Sequence, residues 1–188
     1  KSKTFKPPRT PDGKPDLQGI WEGLISGSNI EEHNEPFAVA GTVPGPTMIV
    51  DPADGKVPYQ PWAFVQRQFN KERYIPPRVE CLPPGVPFQM YVTVGGLQIF
   101  QNPGYVLVLT ERDHAYRHIP ITPSANRSPL GKTIKLYQGD SRGHWEGDTL
   151  VVESTNFNAR TWIDREGHFY SPNARIVERV TLFNSDAI

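Results

Sequence analysis

Three of the five histidines, His114, His118 and His144, fall between Glu111 and Asn158, interspersed with Tyr116, Arg117, Asp140, Arg142, Glu146 and Glu153. A histidine beside a phenol or a carboxylate can take or give a proton near neutral pH, so His118, Tyr116, His144 and Asp140 are the proton-handling candidates. His114 and His118 have the H-x3-H spacing that puts two metal ligands together on a helix. On a strand, at about 3.3 Å per residue, the same side chains share a face but lie roughly 13 Å apart, too far for one ion. The surrounding sequence reads as strand and turn, so no metal site is expected. His144-Trp145-Glu146 matches the H-x-E of zinc deaminases only superficially, because the paired cysteines of that site are missing.

Further groups could contact a ligand. Arg142 joins Asp140 and His144 in a polar cluster, read either as turn chemistry or as the mouth of a barrel. Glu153 interrupts the apolar run LVVEST; on an inward face it needs a partner, and Arg179 in RIVERVTL is the candidate. Asn156 could hydrogen-bond a ligand or form a turn. Trp62 and Trp162 lie in loop-like sequence, where a large ring can cap a cavity. The single Cys81 excludes an internal disulfide and any CxxC motif, and reads as buried and inert. Neither G-x-S-x-G nor a phosphate-binding glycine pattern occurs, and no cofactor is implied.

The elements that must hold these groups are mostly strands. Residues 1–16 are basic and proline-rich and read as an extended arm; residues 17–188 read as one domain, whose length is enough to bury roughly 70% of the unfolded surface. Expected strands are Leu17–Ser26, Thr47–Val50, Gln89–Val94, Leu97–Gln101, Tyr105–Glu111, Ala115–Ile121, Ile134–Tyr137, Thr149–Thr155 and Ala174–Phe183, with Asp140–Gly143 and Glu146–Asp148 as turns. Ala63–Tyr74 suits one amphipathic helix, with Phe64, Val65 and Phe69 near one face. Short connections make the strands antiparallel. The fold class is therefore mainly β: a closed or nearly closed antiparallel barrel of the lipocalin-like kind, or a sandwich, with one short helix and long Pro/Gly-rich loops.

Twenty basic and twenty acidic residues leave no net field to attract nucleic acid, and no apolar run is long enough to span a bilayer as a helix. Asn184-Ser185-Asp186 reads as a turn leading toward a strand that is absent from the chain or supplied by another one. The arm and that edge are the expected routes to a homo- or hetero-oligomer.

The blocks PRTPDGKPDLQGIW, ECLPPGVP, HAYRHIP and GDSRGHWEGDTLVVESTNFN resemble an uncharacterised family of bacterial, mostly exported proteins, frequent in soil bacteria. The resemblance runs from Pro8 to Thr181. It implies a periplasmic or secreted location and a chain that in most members continues beyond the point matching Ile188. Residues and resemblance together lead to an exported barrel with a pocket for a small, partly apolar molecule. Such a protein would be a cofactor-independent acid–base enzyme (isomerase, lyase or hydrolase), a non-catalytic carrier, or an accessory subunit of a larger periplasmic or membrane-associated assembly.

Overall fold

The computed structural model describes residues 5–22, 29–32, 47–91, 96–111, 114–123, 130–131, 133–185 and 188. Among these, seven strands and two helices are formed: β1 (Gly19–Trp21), α1 (Pro61–Arg73), the single-turn α2 (Phe88–Tyr91), β2 (Leu97–Asn102), β3 (Tyr105–Thr110), β4 (Tyr116–Pro120), β5 (Asp140–Glu146), β6 (Thr149–Thr155) and β7 (Ile176–Thr181). They build two antiparallel sheets, β1-β2-β3-β4 and β5-β6-β7. The two meet at one parallel bridge, Ile121 to Gly143, where the Thr122 N–H donates to the Gly143 carbonyl at 2.9 Å. Mainly β architecture is thus established, and the described strands form two sheets rather than a continuous ring.

Alternation along each strand explains why the sheets face each other. Leu97, Ile99, Val106, Val108 and Ile119 of the first sheet and Leu150 and Val152 of the second point inward and form one core with Leu17 and Leu182. A second cluster gathers Val86, Phe157 and Tyr170. Residues 5–16 lie against the domain. Pro15 is fully buried, Phe5 touches the first core, and Arg9 pairs with Asp148 at 2.8 Å.

Several expectations need correction. Thr47–Val50 is not a strand; the Thr47 hydroxyl instead donates to the Ile30 and Gly55 carbonyls. Ile134–Tyr137 makes only a bridge from Leu136 to Phe157. Gln89–Tyr91 belongs to the helical turn α2; residues 92–95 lie outside the described residues, as do 23–26 of the first expected strand and Asp186 of the expected terminal turn. Asp140–Gly143, expected as a turn, is the first half of β5. Only Gly147-Asp148 turns, joining Glu146 to Thr149 across the ladder. Cys81 is exposed rather than buried, in the left-handed conformation that ends a short 3-10 turn.

Helix α1 forms where expected but shows the opposite face to the protein. Ala63 and Arg67 are buried, whereas Trp62, Val65 and Phe69 are 67%, 66% and 47% exposed. Gly167 explains this: it sits so close to the helix backbone that a Cβ there would lie 2.8 Å from the Arg67 carbonyl. The 161–170 loop thus packs against the side of α1 that carries Ala63 and Arg67.

Candidate ligand cleft

β4 and β5 run parallel from their shared bridge but splay apart toward their N-terminal ends. The gap is an open cleft of about 490 Å³, lined on one wall by His114, Tyr116 and His118 and on the other by Tyr137, Gln138, Gly139, Asp140 and Arg142, with Arg117 and Ser141 between. Two glycines permit this shape. A Cβ at Gly143 would lie 2.8 Å from Ile121 Cδ1 and 3.1 Å from Ile119, so glycine brings the sheets together at the seam without displacing either side chain. Gly139 has φ +67°, and its Cβ would meet the Thr155 carbonyl at 2.5 Å, so only glycine can lead the chain into β5 here.

Outward residues supply the chemistry. Tyr116 is 66% exposed, and the His118 ring packs at a tilt against Tyr105 of the neighbouring strand, centroids 5.1 Å apart. Asp140 and Arg142, two residues apart on one face of β5, pair at 3.0 Å. Of the four proton-handling candidates, His118, Tyr116 and Asp140 line the cleft, and Arg142 joins them. His144 projects from the same face of β5 beyond the cleft lining, its Nε2 at 3.1 Å from Glu146. That contact, with the Arg179 guanidinium, holds the Glu146 carboxyl below its ordinary range.

The other ligand candidates are placed elsewhere. Glu153 faces outward with Val151 and Thr155 and pairs with Arg175 at 2.6 Å, not with Arg179. Arg179 pairs with Glu146. The register decides this: Glu153 stands opposite Val177 and Arg179 opposite Val151, so each arginine reaches its carboxylate along a diagonal of the sheet. Asn156 donates to the Gly131 and Ile134 carbonyls at 3.2 and 3.0 Å and sits at φ 60°, the turn role. Trp162 lines a separate cavity of about 70 Å³ with Arg78 and Phe88, and Trp62 lies on exposed α1 against Phe169. Among the described residues no three His, Cys, Asp or Glu side chains converge as metal ligands.

Two buried polar groupings were not assembled from sequence. Arg117 points inward, 3% exposed, donating to the Ser141 and Ser154 hydroxyls at 2.9 and 2.8 Å and bidentately to Glu178. Its place in the apolar register between Ala115 and Ile119 was the available signal. The second grouping lies beside α1. The Asp164 carboxylate holds His168 Nδ1 at 2.5 Å, both side chains fully buried, and Glu31 stands 3.5 Å from His168 Nε2 and 3.9 Å from Arg67. The D-x-x-x-H spacing is common in turns, and Glu31 is remote in sequence, so nothing local marked it.

Tyr59 stacks on His168, rings 4° from parallel, and its hydroxyl accepts the Phe169 N–H. Burial, aided by the Asp164 and Glu31 charges, pushes its phenol up to about 12 from 10.0. A raised value means that the folded state keeps the proton longer than the unfolded chain. This contribution to stability is whole below pH 10 and lost as pH rises toward 12. An ultraviolet titration should show Tyr59 ionising near 12, a step missing from Tyr59→Phe; ionisation near 10 would contradict the buried placement.

The chain matches no protein-family model, no curated protein and no solved structure.

Proposed function

We propose that the cleft between β4 and β5 binds a small, partly apolar molecule and that His118, Tyr116 and Asp140 can exchange protons with it, as in a cofactor-independent isomerase, lyase or hydrolase. The observation that supports this is the convergence, on opposite walls of one open cleft, of titratable side chains from β4 and of the Asp140–Arg142 pair from β5. Among the described residues the apolar interior offers little competing space: its cavity, lined by Ile99, Val108, Ile119 and Val152 among others, is about 10 Å³, room for one water at most. A carrier of the lipocalin kind would hold its ligand there, so the outer cleft is the better site. On this reading the two sheets are walls of a nearly closed barrel whose seam is Ile121–Gly143, in an exported protein, the last point resting on the sequence blocks alone.

The test is a fragment screen by amide NMR using small planar carboxylic acids and amides. Shifts should cluster at Tyr116, His118, Gly139 and Arg142. Tyr116→Ala and Arg142→Ala should each weaken the best fragment about tenfold, the worth of one aromatic contact or one charged hydrogen bond. Shifts confined to the small cavity at Trp162, or none at all, would reject the cleft as the site.

A further inference from the structure

We propose that the cleft receives an extended peptide main chain, which adds as a short strand to the free edge of β4. This rests on the cleft being the ligand site and names its ligand class.

The register of β3 and β4 fixes where each backbone group points. The Thr110 N–H donates to the Ala115 carbonyl and the Ile121 N–H to the Gly104 carbonyl, both at 2.9 Å. In an antiparallel pair, bonded and non-bonded residues alternate, so Ala115, Arg117, Ile119 and Ile121 exchange bonds with β3. Tyr116, His118 and Pro120 therefore turn their backbone groups away from β3, toward β5. Pro120 agrees with this assignment, since a residue without an N–H is tolerated where the strand edge is free.

The opposite wall is complementary. At the seam the Gly143 carbonyl already faces β4, so Ser141, two residues earlier, faces the same way. Its carbonyl takes a bond from the Arg142 guanidinium at 3.0 Å, and β4 and β5 are outer strands of their two sheets that, among the described residues, form no ladder with each other beyond the seam bridge.

The β4 wall of the cleft is thus a strand edge whose outward backbone groups recur at Tyr116 and His118, about 6.6 Å apart, with Ser141 facing them from the β5 side. An extended peptide carries groups at that spacing; a sugar or a flat aromatic does not. Arg117 and Ser141 meet beneath the sheet plane and form the floor, so they do not block the path. Alternate side chains of the added strand would face Tyr116, His118 and Tyr105 on the outside and this polar floor on the inside. Apolar residues suit the first positions and small ones the second.

The probe is a pool of capped hexapeptides randomised at the four inner positions, compared with the same pool N-methylated at alternate residues. Bound peptide should slow amide hydrogen exchange at Tyr116 and His118, and N-methylation should abolish the effect. His118→Pro removes an outward N–H without touching the β3 ladder and should weaken binding roughly fivefold to tenfold, the worth of one hydrogen bond. His118→Ala removes the same imidazole but keeps that N–H, so His118→Pro should bind peptide several-fold more weakly than His118→Ala does. Equal binding of the methylated pool, unchanged exchange, or protection already present without peptide would each overturn the proposal. The first two leave the fragment result at the cleft intact, so failure of the peptide reading is separable from failure of the site. NMR spectra of His118→Pro that retain the β3 and β4 cross-strand contacts exclude unfolding as the cause.

Discussion

Replacing Arg117 with alanine should destabilise the protein by about 3–5 kcal/mol, the usual result of removing one partner from a buried ion pair. The guanidinium is held between the two sheets by Ser141 on β5, Ser154 on β6 and Glu178 on β7. Without it, a carboxylate whose side chain is only 13% exposed loses its counter-charge, and two buried hydroxyls keep only each other. Among the described residues the sheets share one backbone bridge, so this side chain is also their main polar connection. Replacing both charges, Arg117→Met with Glu178→Leu, should recover more than half of the loss, because no uncompensated charge remains in the core. Urea unfolding of the three variants measures this. A loss below about 1 kcal/mol for Arg117→Ala would mean that the pair is solvated and the inward placement wrong.

Asp164→Ala should cost about 3 kcal/mol or more. The Asp164 carboxylate, fully buried, accepts from His168 Nδ1 at 2.5 Å, from the Ile30 N–H at 3.0 Å and from the Glu166 N–H at 2.8 Å. Alanine orphans all three donors, and a buried unmet donor costs about 1–3 kcal/mol. Asp164→Asn keeps an acceptor oxygen for part of this set and should cost less. Because the Ile30 bond spans 134 residues, its loss should also accelerate amide exchange at Ile30 well before global unfolding. Unchanged exchange there, together with unchanged urea stability, would remove Asp164 from its assigned place.

What could be read from sequence follows from how strongly each residue's surroundings depend on its neighbours in the chain. Thr149–Thr155 was legible to the residue, because the inward Leu150 and Val152 alternate with a mixed outer row and Gly147-Asp148 forces the turn before it. β5 was hidden by the same rule. Its outer row is Asp140, Arg142, His144 and Glu146, and its inner row includes Ser141 and Gly143, so neither face looks like a core. Serine and glycine are inward there because Arg117 and Ile121 need the room, a demand made by residues about twenty positions away. The buried face of α1 was misjudged for a similar reason. Phe64, Val65 and Phe69 would bury more area, but close approach of the loop at Gly167 selects the side carrying Ala63 and Arg67. In the cleft, the alternation of His114, Tyr116 and His118 could be read in advance, whereas their opposition to Asp140 and Arg142 depends on the seam.

Within each sheet the strand order follows the chain: β1, β2, β3 and β4 lie side by side in one meander and β5, β6 and β7 in another. The connections between β2 and β3, β3 and β4, and β5 and β6 close only short loops, which costs little chain entropy, whereas residues 156–175 intervene between β6 and β7. Longer-range closures include the return of β1 to β2 and the meeting of the two meanders across Arg117 and Gly143. Topologically the molecule is two locally encoded halves, and the cleft opens along the line where they join.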